Sequence, residues 1–334
     1  MEPKVSPDVQ YRAEIDGLRA LAVLPVIFFH AGFEAFSGGF IGVDVFFVIS
    51  GYLITSIIYS EILKHQFNIW RFYERRARRI LPALFIVSIA CLLPAWLWML
   101  PAEFKNFSQS LVGVATFTSN ILFWLESGYF AEPSELKPLL HTWSLSVEEQ
   151  FYILYPPLLI LLYHFIPKQL FMVIGLGALA SLGVAHWGAH THPSANFYLL
   201  PSRGWELGVG SLLALYIHTR TQNSLAFCER LDIRRSQIIR NVLAGVGLGL
   251  ILFAIFVFDE STPFPSVWTL IPVFGSALII VYANSETLVG RILRWRILVG
   301  IGMISYSAYL WHQPLFAFAR LWVLDYVPSW LYST

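Results

Sequence analysis

Charged side chains are scarce in this sequence. Asp, Glu, Lys and Arg together make up 13% of its 334 residues, whereas about a quarter is typical of a soluble globular domain. Hydrophobic residues account for 57% and aromatic residues for 16%, and a high aromatic content suits the Trp and Tyr belts at the two membrane interfaces. These proportions exclude a soluble protein, and we predict one integral-membrane domain over residues 1–334.

Cysteine is scarce too, and the common nucleotide-binding and hydrolase motifs are missing. The two cysteines, Cys91 in an apolar run and Cys228 in a basic loop, do not predict a disulfide. No P-loop, GxSxG element or GxGxxG strand–helix context is present, and we expect no nucleic-acid partner. The spacing of His186, His190 and His192 fits no standard metal site, so we predict no metal.

Apolar runs dominate the chain instead. A spanning helix needs about 20 mostly apolar residues. Ten candidate runs lie at 18–37, 39–60, 80–100, 107–125, 144–166, 169–187, 203–218, 241–258, 268–284 and 297–319. We therefore predict an all-α, polytopic transmembrane helix bundle of nine to ten spans. Two GxxxG motifs, Gly204–Gly208 and Gly245–Gly249, predict close packing between helices.

Basic residues indicate how the chain crosses the membrane. Three lie before residue 20, six in 61–79, five in 219–240 and three in 290–296, which together are 17 of the 22. Short loops rich in Lys and Arg stay in the cytoplasm, so we place these segments and the N-terminus there. Five runs lie between 61–79 and 219–240, but two loops on the same side of the membrane must be separated by an even number of spans. We therefore predict that the most polar run, 107–125, does not span the membrane and is re-entrant or interior-packed. Nine spans remain. The segments predicted outside are 126–143, 188–202 and 259–267.

Two ionisable residues stand in the first hairpin, FFHAGFEAFSGGFIGVDVFF. His30 follows Arg19 by eleven residues, about 16 Å along a helix, and Asp44 opens the returning helix. Ionisable side chains at such depth are costly and mark functional sites. We predict that His30 and Asp44 pair across the hairpin, which would hold the imidazole in one tautomer and make its other nitrogen a better base. A purely structural pair is the alternative.

The loop RFYERRARRILP carries five arginines and no lysine between residues 71 and 79. Positive-inside topology explains some of these cations. The guanidinium fork, however, binds phosphate in a bidentate manner, whereas lysine offers a point charge. The loop therefore predicts a site for a polyphosphate ligand or for anionic lipid headgroups.

Further polar residues fall within or beside the predicted spans. His141, Glu148 and Glu149 lie at the outer mouth of one span, where the two carboxylates suggest a polar cavity, and His312 lies inside the last run. Arg203 and Glu206 are one helical turn apart, which fits an internal ion pair as well as a functional role.

These stretches together resemble the acyltransferase-3 family of bacterial membrane O-acyltransferases. The resemblance is carried, in family order between residues 11 and 318, by RAEIDGLRALAVLPVIFFH, GGFIGVDVFFVISGYLI, FYERRARRILP, LLHTWSLSVEEQFYILYP, PSRGWELGVG and ISYSAYLWHQPLF. It implies about ten spans in the bacterial inner membrane. It also implies transfer of an acyl group, commonly acetyl, from cytoplasmic acetyl-CoA to a hydroxyl of a surface polysaccharide such as O-antigen, peptidoglycan or exopolysaccharide.

Residue roles follow from the same resemblance. It implies a catalytic histidine, an acidic partner and an essential arginine at His30, Asp44 and Arg19. Arg76 and Arg79 match the family's RxxR element, which is implicated in holding the donor, and we expect Arg75, Arg76, Arg78 and Arg79 to lie near the donor phosphates. Positions suited to an acceptor or cavity role are His141, Glu148, Arg203, Glu206 and His312. We expect the histidine either to deprotonate the acceptor hydroxyl or to carry the acetyl group briefly, and both mechanisms stay open.

Other interpretations stay open as well. A transporter or flippase for an anionic or glycolipid substrate would use the same intramembrane charges, although no repeat typical of transporters stands out. An inactive membrane scaffold is the third interpretation. Family members often continue into a further span and an external SGNH esterase-like domain, which we do not find before Thr334. The chain is then either a fragment that relies on such a domain or partner, or it acts without one.

Overall fold

The computed structural model describes residues 11–128, 133–222 and 237–326. Its α-helices are α1 Ala13–His30, α2 Gly42–Leu63, α3 Ile69–Trp98, α4 Pro101–Ala115, α5 Ser119–Glu126, α6 Thr142–Phe165, α7 Leu170–Thr191, α8 Pro193–Tyr198, α9 Leu200–Gln222, α10 Gln237–Val257, α11 Leu270–Tyr282, α12 Leu288–Leu293 and α13 Arg296–Tyr326. Cys228, for which we predicted no disulfide, lies outside the described residues. The predicted all-α class is confirmed.

Some of these helices are long and apolar enough to cross a membrane. Within the described ranges, five stretches are long and apolar enough to cross a membrane: Gly39–Leu63, Ile69–Trp98, Thr142–Phe165, Pro167–Thr191 and Gln237–Val257. A multi-pass helical membrane protein is therefore confirmed. The count of nine spans and the cytoplasmic N-terminus remain predictions.

The first predicted span, 18–37, extends beyond the end of the first helix. α1 ends at His30, and the chain then makes two short 3-10 turns, Glu34–Phe36 and Gly39–Ile41, before α2 begins. Gly32 adopts a φ of 84°, a left-handed conformation that glycine takes without steric cost. Asp44 lies in the first turn of α2 as predicted, where a carboxylate suits the positive end of the helix dipole.

The arginine segment is helical, so its description as a loop is wrong. α3 begins at Ile69, eleven residues before the predicted span. The Asn68 side chain accepts a hydrogen bond from the Arg71 amide at 3.0 Å and caps the helix. Arg, Glu and Ala are good helix formers, and the Glu74–Arg78 ion pair at 2.7 Å adds i,i+4 support. Each arginine therefore projects from a defined face of the helix.

The polar run 107–125 does not form one spanning helix, in line with its exclusion from the predicted spans. α4 and α5 flank a turn in which Phe117 has a positive φ of 54°, and neither helix reaches spanning length. Protein groups satisfy the polar atoms of this break. Gln150 donates from Nε2 to the Phe117 carbonyl at 2.9 Å and to Asn120 Oδ1 at 2.8 Å, and Ser119 shares a hydroxyl hydrogen bond with Ser146 at 2.8 Å.

α2 lies at the centre of the bundle. In its most apolar window 78% of the residues are buried, compared with 17% for the helix at Pro167–Thr191. α2 packs most extensively against α9, and glycines allow this approach. A Cβ at Gly51 would lie 1.9 Å from the Leu207 carbonyl oxygen, and one at Gly210 would lie 2.1 Å from that of Val48. The two backbones are therefore nearly in contact.

The two GxxxG motifs have different outcomes. A Cβ at Gly208 would lie 3.1 Å from the Ala178 Cβ in α7, in line with the predicted close packing. On α10, Cβ atoms at Gly245 and Gly249 would meet no described atom within 4 Å. Gly247 makes the close approach instead, with its added Cβ 2.7 Å from the Gly275 carbonyl oxygen. The prediction for the second motif is wrong because the opposite helix face is buried.

Candidate active site

A cavity of about 100 Å³, which we call the arginine cavity, opens between α1, α2, α3, α6 and α13. Three of the predicted arginines line it: Arg19 from α1, and Arg76 and Arg79 from α3. Arg76 and Arg79 are three residues apart and so share one helix face. The buried Nε of Arg76 has no hydrogen-bond partner among the described residues, which leaves a donor available to a ligand.

Two of the four arginines of the predicted donor site point away from the arginine cavity. Arg75 forms an ion pair with Glu61 at 2.8 Å. Arg78 pairs with Glu74 and its side chain is 79% exposed. Neither lines the arginine cavity. Helical periodicity separates them from Arg76, because consecutive residues on a helix point about 100° apart.

Glu148 lines the arginine cavity together with the cations. Its Oε1 accepts hydrogen bonds from the Ser50 and Tyr152 hydroxyls. Glu149 is buried beside it, and its Oε1 has no hydrogen-bond partner in the described part of the chain. The structure thus places both carboxylates at the arginine cavity. His141, predicted to lie near them, lines a different cavity.

The second cavity, of about 180 Å³, we call the histidine cavity. His30 and His141 line it, together with Tyr309 and Arg203. The His312 ring lies beside both histidines, with centroids 5.0 Å from His30 and 5.3 Å from His141. Three histidines that are far apart in the sequence therefore form one cluster. Among the described residues, no group of three His, Cys, Asp or Glu is arranged to hold a metal ion.

Hydrogen bonds define which nitrogen of His30 carries the lone pair. His30 Nδ1 lies 2.8 Å from the Val26 carbonyl oxygen. Since a carbonyl only accepts, Nδ1 carries the proton in the neutral ring and Nε2 holds the lone pair. His312 is oriented in the same way by the Tyr309 carbonyl, at 2.5 Å from its Nδ1, and its buried Nε2 has no partner among the described residues.

The predicted pairing of His30 with Asp44 is wrong. Asp44 Oδ1 accepts a hydrogen bond from Arg203 Nη1 at 2.9 Å, and the same nitrogen lies 3.3 Å from Glu206 Oε1. All three side chains are at most 1% exposed. A buried carboxylate needs a cation, and the α2–α9 contact supplies one. The Val26 carbonyl takes the orienting role that we expected of Asp44.

Arg203 is the centre of the second charged group. The predicted Arg203–Glu206 ion pair is confirmed at 3.3 Å. Its guanidinium carbon also lies 5.1–5.2 Å from three aromatic ring centroids, those of Trp143, Phe197 and Phe264. Buried cations over ring faces are stabilised by the ring quadrupole. The guanidinium is thereby held at the wall of the histidine cavity.

The two cavities adjoin each other. Val43 and Tyr309 line both of them. The Tyr309 hydroxyl shares a hydrogen bond with Ser144 at 2.7 Å and lies 3.1 Å from the His141 carbonyl oxygen. Tyr309 therefore lies in the wall between the space lined by the arginines and the space lined by His30.

Sequence reasoning missed several of these groups. Tyr309 lies three residues before His312, so helical spacing could have placed it on the same face. Arg320 donates from Nη2 to the His30 carbonyl oxygen at 2.7 Å and so binds the end of α1 to α13. Ser50 and Tyr152, the partners of Glu148, carried no comparable signal, because hydroxyls are common in apolar helices.

The fold and these cavities define a helical membrane protein with an internal polar site. The chain belongs to the acyltransferase-3 family, whose acyltransferase domain matches residues 12–334. It is 33% identical over 315 residues to the peptidoglycan O-acetyltransferase OatA of Listeria monocytogenes, which covers 92% of this chain and 49% of the relative. It is 31% identical over 342 residues to the O-acetyltransferase OatA of Staphylococcus aureus, with 99% and 55% covered. The chain thus spans about half the length of these relatives. No solved structure matches it.

Proposed function

We propose that this chain is a membrane O-acetyltransferase that moves an acetyl group from acetyl-CoA to a hydroxyl of a cell-surface polysaccharide. The observation that carries the proposal is the pair of adjoining cavities, one lined by three arginines and the other by His30. The resemblance of the chain to peptidoglycan O-acetyltransferases supports this chemistry. In our proposal the arginine cavity faces the cytoplasm and the histidine cavity faces the outside of a bacterial inner membrane.

The donor binds in the arginine cavity. Arg76 and Arg79 hold the phosphates of CoA, since the guanidinium fork matches phosphate oxygens better than an ammonium group does. The unpartnered Nε of Arg76 is available for such a contact. Arg19, whose side chain is 14% exposed, lies further along the cavity wall. The thioester approaches His30 past Tyr309.

His30 performs the proton or acyl transfer with Nε2. As a general base, Nε2 takes the proton of the acceptor hydroxyl while the hydroxyl oxygen attacks the thioester carbonyl; the C–S bond breaks and the CoA thiolate leaves. As a nucleophile, Nε2 attacks the carbonyl itself and later passes the acetyl group to the hydroxyl. The Val26 carbonyl holds the required tautomer in both routes.

The acceptor is the least constrained partner. The relatives act, by their names, as O-acetyltransferases, one of them on peptidoglycan, and we propose a glycan hydroxyl on the outer side. The relatives are about twice the length of this chain. An external domain or separate partner that takes part in delivery to the glycan is therefore included in the proposal.

The test is release of CoA by the purified chain in lipid nanodiscs. We would incubate it with acetyl-CoA, with and without a peptidoglycan digest, beside the variants His30→Ala and His186→Ala. His186 is exposed on α7 and lines none of the cavities described above. We expect release that is lost in His30→Ala and kept in His186→Ala, with unchanged thermal unfolding of both. Equal activity in the two variants would refute the role of His30, and glycan flux without CoA release would favour the transporter.

A further inference from the structure

A third cavity lies beside the histidine cavity, and we call it the loop cleft. It has a volume of about 510 Å³ and is bordered by the segment 259–264 between α10 and α11 and by the end of α7. This size is within the range of small-ligand sites, about 300–1,000 Å³. Asp259 and Glu260 at its rim are exposed. The segment falls within 259–267, which the basic-residue pattern predicts to be outside the membrane.

The wall of the loop cleft is shared with the histidine cavity. Four phenylalanines line both spaces: Phe29, Phe40, Phe197 and Phe264. Three of them form a chain of ring contacts that ends at the proposed catalytic histidine, with centroid distances of 4.9 Å for Phe264–Phe40, 5.7 Å for Phe40–Phe29 and 5.2 Å for Phe29–His30. A ligand lying on these rings therefore rests against the wall that the loop cleft shares with the histidine cavity.

The chemistry of the loop cleft combines aromatic faces with carboxylates. Aromatic walls with a few polar groups that fix orientation are the usual pattern of a small-molecule site. A pyranose ring presents an apolar C–H face to aromatic rings and hydroxyl donors to its surroundings. Carboxylate oxygens accept from such donors. Asp259 Oδ1 already accepts from Ser261 and Thr262 within the loop, which leaves Glu260 as the acceptor for a ligand. The same carboxylates disfavour an acyl chain and repel a polyanion.

We infer that the loop cleft binds the acceptor glycan, with a neutral pyranose residue stacked on the Phe40 and Phe264 rings. This inference rests on the proposed function, because it names where the acceptor of that reaction lies. A folded protein domain is too large for a cleft of this volume. In this position the sugar lies beside the histidine cavity, across the shared phenylalanine wall. Glu260 accepts hydrogen bonds from the more exposed part of the glycan.

A matched pair of cysteine variants tests the site. In a Cys228→Ser background, where Cys91 is buried, Glu260→Cys places a thiol at the rim of the loop cleft. Ser194→Cys is the control, because Ser194 is also exposed but lines a separate cavity beside Trp187. Each variant is modified with a methyl or with a bulky biotin–polyether thiosulfonate reagent in nanodiscs. The readouts are calorimetric binding of N-acetylchitopentaose and calorimetric binding of acetyl-CoA.

We expect the bulky label at position 260 to weaken N-acetylchitopentaose binding at least about tenfold compared with the methyl label, and the control to bind equally with either. Acetyl-CoA binding should persist in all samples, because the donor cavity is untouched. Loss of binding in the Ser194→Cys control alone, or no binding by the unlabelled chain, would overturn the inference. Blocked glycan binding in a chain that does not bind acetyl-CoA would refute the proposed function and leave the glycan site in place.

Discussion

The buried Asp44–Arg203–Glu206 cluster predicts a strongly non-additive pair of substitutions. Two carboxylates face one guanidinium, with Arg203 Nη1 at 2.9 Å from Asp44 and 3.3 Å from Glu206. Asp44→Asn or Glu206→Gln alone leaves one carboxylate to compensate the cation. Both together leave a guanidinium without a counter-charge in a region where no member of the cluster is more than 1% exposed.

The expected losses in the free energy of unfolding follow from this difference between the single and the double variants. Each single amide keeps an oxygen that accepts from Arg203, so its cost should be about 0.6–1 kcal/mol, the size of an interhelical hydrogen bond in a membrane protein. Removal of the remaining partner of a buried charge costs about 3–5 kcal/mol. The double variant should therefore lose about 2 kcal/mol more than the sum of the singles, which is a large coupling for a side-chain pair.

The assay is reversible unfolding by SDS in mixed micelles, followed by tryptophan fluorescence. Glu34→Gln, an exposed carboxylate in the turn after α1, is the control and should leave the midpoint unchanged. Additive losses in the double variant would refute the view that either carboxylate suffices. Loss of folding in either single variant would also refute it, because the structure provides a second counter-charge in each case.

The remaining predictions concern the arginine cavity and helix packing. Arg76→Gln should weaken acetyl-CoA binding by about tenfold or more in calorimetry, because a charged hydrogen bond contributes about 1.5–3 kcal/mol. Arg78→Gln, outside the cavity, should change it little, and an equal loss in both would contradict the assignment. Gly51→Ala should lower the thermal unfolding temperature markedly, since its Cβ would lie 1.9 Å from the Leu207 carbonyl oxygen. Gly245→Ala has open space and should stabilise the helix by up to about 1 kcal/mol; a Gly51→Ala chain as stable as the parent would contradict the close α2–α9 contact.

Much of the fold was predictable because its signals are local. Long apolar runs predicted the helices, since an unsatisfied backbone in lipid costs several kcal/mol and only a helix satisfies it within one segment. The polar residues in 107–125 predicted its failure to form one spanning helix, and the structure breaks there at Thr116–Thr118. The start of α3 was missed because Arg-rich turns carry no hydropathy signal, although they are good helix formers.

The sequence also identified individual ionisable residues of functional interest, but it did not identify the side chains with which they pair. An ionisable residue within a span requires a partner or a polar cavity, and that rule selected His30, Asp44 and Arg203 one by one. It does not say which charge meets which. The hairpin made His30 the nearest candidate for Asp44 along the chain, but the true partner is 159 residues away.

The sequence by itself determined that the chain is a helical membrane protein, that its family is acyltransferase-3, and which residue types its site contains. Only the tertiary structure decided how they are grouped. The glycine contact between α2 and α9 brings Arg203 to Asp44, and the packing of α13 along α1 brings His312 to His30. Helix pairing depends on shape along whole helix faces, which composition and spacing within one segment do not encode.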